Sequence, residues 1–177
     1  MMRLFLFLLV CLPLLAMAQP NPSDYISWNA KQPLTWNDYL GSPDPTSDAA
    51  ASTNTKISID FNMSSTGFTY KVKSFFSKQK SWAIHKSVYI LSHEQGHFDI
   101  AEIFARKLHK EISEYRFNTK TYQKDLQKIY QKVTNEMFKM QSLYDAQTNH
   151  SIDKEKQGEW IIKIGELLKE YNYWANY

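Results

Sequence analysis

Cysteine is almost absent from this sequence, whose 177 residues include a single one, Cys11. A lone cysteine cannot form an intramolecular disulfide, which excludes the small disulfide-rich scaffolds of secreted proteins. Glycine and proline are scarce too, with five and six residues, which excludes collagen-like and low-complexity sequences. We therefore expect the stability of the fold to come from a packed core or from a bound metal ion.

A large charge of one sign is also lacking. Lysine and arginine number 21 against 18 acidic residues, which gives a net charge of +3. This small excess is spread along the chain and does not form the dense basic patch of a nucleic-acid binder, so we expect no nucleic-acid partner. Hydrophobic residues make up 43% of the chain, enough apolar mass for one folded domain.

The one long apolar run lies at the N-terminus. Arg3 precedes apolar residues 4–15, and Ala16-Met17-Ala18 has the small-x-small pattern of a signal-peptidase site. We predict a signal peptide over residues 1–18 and a single mature domain over residues 19–177, secreted or periplasmic and without membrane association after cleavage. A retained membrane anchor is the alternative, but the run is short for a bilayer and no stop-transfer flank follows it.

Hydrophobic and polar residues alternate between residues 55 and 73, on both sides of a turn at 64–67. This period of two predicts a β-hairpin with one buried face. The residues expected on that face are Ile57, Ile59, Phe61, Met63, Phe68, Tyr70 and Val72. The preceding segment, residues 41–54, is rich in proline, serine and aspartate and predicts a long loop.

From about residue 86 the hydrophobic period becomes helical. It predicts three α-helices over residues 86–116, 119–147 and 152–173, each with an apolar stripe that we assign to the core. The predicted fold class is therefore α+β, with an N-terminal β-hairpin or small antiparallel sheet followed by three α-helices.

The first predicted helix contains the sequence His93-Glu94-Gln95-Gly96-His97, an H-E-x-x-H motif. Two histidines four residues apart on a helix lie about 40° apart around its axis and about 6 Å apart along it, so both can reach one metal ion. The motif is typical of zinc sites in which the glutamate takes a proton from a metal-bound water. We predict that His93 and His97 bind Zn²⁺ in a zincin-like helix and that Glu94 is the catalytic residue. Gly96 costs about 1 kcal/mol in mid-helix, so we expect another group to approach it closely.

A catalytic zinc site needs a third protein ligand, and the residues near the motif do not supply it. Ile103 stands where the long metzincin pattern requires a histidine, which excludes that class. Asp99 and Glu102 lie off the face of the helix that carries the two histidines, and His85 and His109 are too far along the helix.

His150 is the residue that we predict as the third metal ligand. It lies in the break between the second and third predicted helices, where a loop can present an imidazole. Asp145, Glu136 and a glutamate of the third helix remain alternatives. Asp145 is also a candidate for holding a ligand imidazole in position by a hydrogen bond.

Residues 91–102, with the sequence LSHEQGHFDIAE, resemble a bacterial family classed as a domain of unknown function and labelled a predicted secreted zinc-dependent protease. The resemblance covers most of the mature chain. Its further elements are Trp36, residues 49–53, Ser81-Trp82, Tyr144-Asp145, Thr148, His150, Gln157 and Trp160. It implies export, a zincin-like helix, a hydrolytic activity and a histidine at the position of His150. The family commonly has a glycine after that histidine, where this chain has Ser151.

These features together predict a monomeric zinc metalloprotease, a hydrolase that acts on peptide or protein substrates with Glu94 as general base. Tyr144 is a candidate donor to the oxyanion, and the hairpin offers an edge strand for an extended peptide. The alternative is a non-catalytic exported binding module in which the metal is structural or the site degenerate. A fourth protein ligand would favour that alternative. An amidase acting on cell-wall material would use the same residues.

Overall fold

The computed structural model describes residues 22–64 and 67–175. In these ranges short strands and a hairpin come first and three α-helices follow, which confirms the predicted α+β class. The predicted signal peptide lies outside the described residues. No helix within the described ranges is long and apolar enough to cross a membrane.

A three-stranded antiparallel sheet contains the predicted hairpin. Strand β1 (Tyr25–Ser27) pairs with β4 (Gly67–Ser77), which pairs with β3 (Thr55–Ser64), so that β3 forms one edge. The register places Ile59 opposite Val72. The hairpin is longer than predicted because the end of β4 continues as far as Ser77 in its pairing with β1.

The predicted alternation is present, but the apolar face of β3 is buried at one end only. Ile57 and Val72 are buried in the core, whereas Phe61 and Met63 are 38% and 47% exposed. The prediction of one continuous buried face is therefore wrong for the far half of β3, where Phe61 and Met63 lie outside the core cluster.

A second, two-stranded sheet joins β2 (Ala51–Ser52) to β5 (Trp82–Ala83). Strand β2 lies inside the segment predicted to be a loop. It is only two residues long, so the sequence shows no hydrophobic alternation from which this strand could be predicted. Its pairing brings residues 47–55 over the N-terminal part of the first helix, where they line one wall of a pocket.

The three helices are α1 (Val88–Ser113), α2 (Tyr122–Thr148) and α3 (Lys154–Glu170), close to the predicted ranges. The Ser87 hydroxyl accepts a hydrogen bond from the Ile90 amide, and the Asp153 carboxylate accepts one from the Lys156 amide. These are the N-cap contacts that start a helix. They fix where α1 and α3 begin.

Helix α1 is the central element, since it packs on the sheet, on α2 and on α3. Its buried residues include the polar residues His93, Glu94, Glu102 and Arg106 as well as apolar ones. The apolar stripes of the other two helices form the core as predicted. The fully or nearly fully buried members of these stripes are Leu126, Val133, Met137, Tyr144, Trp160 and Ile164.

Candidate metal centre

His93 and His97 lie one turn apart on α1, and the Nε2 atoms of both rings point toward the same position. Their Nε2 atoms are 3.2 Å apart. His93 is 3% exposed, so the pair lies within the protein beside α2. The helical spacing predicted this arrangement correctly.

Asp145 of α2 completes the cluster. Its Oδ1 atom lies 3.2 Å from His93 Nε2 and 3.0 Å from His97 Nε2. A tetrahedral ion with ligands at 2.0–2.1 Å requires neighbouring ligand atoms about 3.3 Å apart. The three separations fit a single ion of that size. Two imidazoles and a carboxylate are also a donor set that suits zinc.

His150 lies beside this cluster and not within it. Its Nδ1 is 3.8 Å from Asp145 Oδ1, its side chain is 67% exposed, and it lines the same pocket. The choice of His150 as third ligand stays a prediction, while Asp145, one of the alternatives, is the residue that joins the two histidines in the structure. Glu136 is not part of the cluster, because its carboxylate pairs with Lys107.

The turn that carries His150 has an unusual backbone. Asn149, His150 and Ser151 have φ values of 47°, 51° and 73°, all in the left-handed region. Residues with a side chain pay roughly 1–2 kcal/mol each for this conformation. The turn ends α2 and folds the chain back so that the His150 ring approaches Asp145.

Gln141 fixes the orientation of the His97 ring. Its side-chain nitrogen donates to the His97 carbonyl oxygen at 2.9 Å, so its oxygen is the atom that accepts from His97 Nδ1–H. The proton on Nδ1 leaves a lone pair on Nε2, which faces the carboxylate of Asp145. Two electron-rich atoms at that distance require a cation or a proton between them.

The electrostatics of the cluster agree with this requirement. Burial alone would raise the pKa of Asp145, but hydrogen bonds and charge from His93 and His97 hold it well below its usual range. Burial opposes protonation of His97, yet Asp145, Glu94 and Gln141 together raise its pKa. The site therefore holds a carboxylate anion and attracts positive charge.

Tyr144 packs against the H-E-x-x-H motif and contacts His93. Its ring stacks on His93 with centroids 4.4 Å apart, and its hydroxyl donates to the His93 carbonyl oxygen at 3.3 Å. A Cβ on Gly96 would lie 2.6 Å from the Tyr144 hydroxyl oxygen, which confirms that another group approaches this glycine closely. The suggestion that Tyr144 is an oxyanion donor stays a prediction; in the structure the side chain is fully buried against α1.

Like the Nδ1 atom of His93, Glu94 is an unsatisfied group of the site among the described residues. It is 4% exposed, and among the described residues its Oε2 atom has no hydrogen-bond partner. A buried carboxylate oxygen without a partner is costly unless a water or a ligand binds it. Glu94 lines the same pocket of about 350 Å³ as the two histidines and Asp145, so that partner would come from the pocket.

A family comparison connects this site to other proteins. The model of a bacterial protein family of unknown function, DUF922, matches residues 24–151. This chain belongs to the DUF922 family. No curated protein and no solved structure matches it. The DUF922 description carries no activity, so it does not confirm the protease label that came with the resemblance.

The DUF922 region contains both sides of the site, since it begins before β1 and includes α1, α2 and His150. It also contains a second polar face of α1. There Asp99 accepts hydrogen bonds from Trp28 Nε1 at 2.7 Å and from Gln95 at 2.8 Å, and Gln95 accepts one from the Leu34 amide. Gln95, in the middle of the H-E-x-x-H motif, thus binds the N-terminal segment at Leu34. Sequence reasoning missed this role of Gln95.

The remaining predicted exclusions hold within the described ranges. Asp99, Glu102, His85 and His109 do not join the cluster. Glu102 is occupied elsewhere, with one carboxylate oxygen on Arg106 at 2.8 Å and the other on the Ser74 hydroxyl at 2.8 Å.

Proposed function

We propose that this protein is a zinc-dependent metallopeptidase, a monomeric hydrolase of peptide or protein substrates that acts in the periplasm or outside the cell. The observation that carries the proposal is the convergence of His93, His97 and Asp145 at 3.0–3.2 Å beside the unpartnered carboxylate of Glu94. A purely structural motif helix would not need a buried, unsatisfied glutamate in a pocket.

His93 and His97 would hold the ion, with Asp145 or His150 as the third ligand. Bound zinc lowers the pKa of a water to about 7 and polarises a carbonyl oxygen. Gln141 keeps His97 in the tautomer that binds metal, and Tyr144 keeps the His93 ring in place. The chain's own contribution is to orient these ligands on two packed helices.

Glu94 would act as the general base. Its carboxylate lies in the pocket next to the first ligand, where it takes a proton from water and transfers it to the departing amine. The Oε2 atom of Glu94 is buried and has no hydrogen-bond partner among the described residues. It can therefore accept a proton from a water in the pocket. The substitution Glu94→Gln removes the basic carboxylate oxygen and keeps the shape of the side chain.

The first test is metal content together with peptide cleavage. The mature protein is expected to bind one zinc per chain and to lose it in His93→Ala and His97→Ala, whereas Glu94→Gln keeps zinc and loses at least 100-fold in kcat. Cleavage by Glu94→Gln at the parent rate would rule out the peptidase mechanism. Zinc retained equally by His93→Ala would rule out the site.

The third ligand is resolved by comparing Asp145→Asn with His150→Ala. The variant that lacks the true ligand should weaken zinc binding by several orders of magnitude in a chelator competition, and the other variant by much less. A loss of similar size in both variants would mean that all four residues bind the ion.

One observation favours a second candidate, a binding module with a structural metal. His150 Nδ1 is only 3.8 Å from Asp145 Oδ1. If the His150 ring joined the other three as a fourth ligand, the tetrahedral site would be closed, which is typical of structural zinc. Zinc that is bound by all four residues in a protein without cleavage would support this candidate.

A further inference from the structure

The outer edge of strand β3 is open along most of its length. β3 is the edge strand of its sheet and pairs with β4 on one side only. The Tyr130 hydroxyl donates to the Ile57 carbonyl at 3.1 Å, so this carbonyl points away from β4. Because backbone groups alternate in direction, those of Ile59, Phe61 and Met63 point the same way. Among the described residues none hydrogen-bonds to them on that side.

An apolar groove of about 630 Å³ runs beside this open edge. It lies between β3 and the first turns of α2. Its apolar walls are Ile59, Phe61, Met63, Tyr122, Leu126 and Tyr130. Exposed apolar side chains gathered in a groove mark a binding surface more often than chance exposure.

The groove and the candidate metal centre are separate cavities that lie along the same two elements. Thr55, the first residue of β3, lines the metal pocket, and Ile57 lines the groove. On α2, Gln141 lines the metal pocket and Tyr130 lines the groove. About 16 Å of helix axis separates Tyr130 from Gln141, a length that about five residues of extended chain span.

We propose that this edge and groove bind an extended, apolar stretch of a polypeptide substrate by strand addition to β3, while another part of the same substrate chain lies in the metal pocket. The open backbone groups select an extended chain, and the groove selects apolar side chains on one of its faces. Unfolded polypeptides offer both features, whereas folded proteins keep them covered. The link to cleavage rests on the proposed function; the binding itself does not need metal.

Binding is tested on the Glu94→Gln variant of the mature chain, so that no turnover interferes. The probe is a fluorescein-labelled 14-residue peptide of alternating valine and threonine with terminal lysines, followed by fluorescence anisotropy. The double variant Phe61→Lys/Met63→Lys is expected to weaken binding at least tenfold. The control Asp60→Asn/Asn62→Lys also adds two units of positive charge, on the opposite face of β3, and should change binding less than twofold.

Thermal unfolding and circular dichroism show whether each variant keeps the fold. If Phe61→Lys/Met63→Lys binds the peptide as tightly as the control Asp60→Asn/Asn62→Lys does, the groove is not the site and the proposal is overturned.

Strand addition is tested with two versions of the peptide, N-methylated at even or at odd positions. Only one of the two sets of amides can face β3, so one version should lose binding and the other should keep it. Loss in both versions or in neither would overturn strand addition. The same protein is used with both peptides, so this result does not depend on whether a groove substitution disturbs folding.

Cleavage and size measurements separate the remaining outcomes. In the parent, lengthening a substrate from six to fourteen residues should lower KM at least tenfold, and the double variant should abolish this gain. A parent that cleaves both lengths equally overturns the groove proposal and leaves the peptidase proposal intact. Groove binding without any cleavage supports the groove proposal and contradicts the peptidase. A dimer in light scattering that Phe61→Lys dissociates would mean that a second copy occupies the edge, which overturns the proposal.

Discussion

Gly96 has no functional group, but the packing around it leaves no room for a side chain. A Cβ at this position would lie 2.6 Å from the hydroxyl oxygen of Tyr144, which is itself buried. Alanine favours a helix over glycine by about 1 kcal/mol, but overpacking of a core costs about 1–3 kcal/mol. We expect Gly96→Ala to lower the free energy of unfolding by about 1 kcal/mol in urea denaturation. Gly158→Ala, with open space around its Cβ, should raise it; equal effects at the two sites would contradict this explanation.

Gln141 contacts the cluster through His97, so its effect on a bound metal ion would be indirect. Removing the oxygen that accepts from Nδ1–H frees the ring to rotate and to change tautomer. Loss of such an outer partner typically weakens metal binding about 10–100-fold, so we expect Gln141→Leu to do so in a zinc competition assay. Gln131→Leu, an exposed change on the same helix, is the control. Unchanged affinity in Gln141→Leu would show that packing alone orients His97.

At the scale of the element, the end of α2 stores backbone strain. Ser151 has a φ of 73°, which glycine adopts without penalty. We expect Ser151→Gly to stabilise the protein by roughly 0.5–1 kcal/mol, measured by urea denaturation. Ile152→Gly, at a residue outside the left-handed stretch, should destabilise it, because there glycine only adds freedom to the unfolded chain. A loss of stability in Ser151→Gly would mean that the Ser151 side chain outweighs the strain.

The elements that sequence could predict are those long enough to show a period. The helices and the β3–β4 hairpin fall where alternation and helical stripes placed them. Strands β1, β2 and β5 have two or three residues, and only their pairing partners define them. The same limit applies to the site: His93 and His97 follow from local spacing, but Asp145 depends on how α2 crosses α1. Gln141 lies one turn before Asp145 on α2. Once Asp145 is known to face the site, this spacing predicts that Gln141 faces it too.

At the scale of the whole molecule, the cluster makes stability depend on pH in the metal-free protein. Asp145 has a lowered pKa, so its contribution is present above 3.8 and is lost as the pH falls. His97 has a raised pKa, so its contribution is present below 6.5 and is lost as the pH rises. The EDTA-treated protein should therefore have its highest Tm between about pH 4 and pH 6.5.

Zinc should change this profile. The ion binds neutral imidazole, so it competes with protons, and its effect on Tm should be larger at pH 8 than at pH 5.5. Thermal unfolding from pH 4 to pH 8.5, with and without zinc, measures both effects. Asp145→Asn should flatten the metal-free profile; a metal-free Tm that rises between pH 6 and pH 8 in the parent would refute the assignment.

The candidate ligands His97 and Asp145 lie on two helices, and 48 positions of chain separate them. An ion held between them is a cross-link that closes a loop of that length. A disulfide closing such a loop stabilises a protein by about 4 kcal/mol through the entropy of the unfolded chain. If such an ion is bound, a chelator would remove this cross-link between α1 and α2, and proteolytic lifetime would follow the supply of the metal.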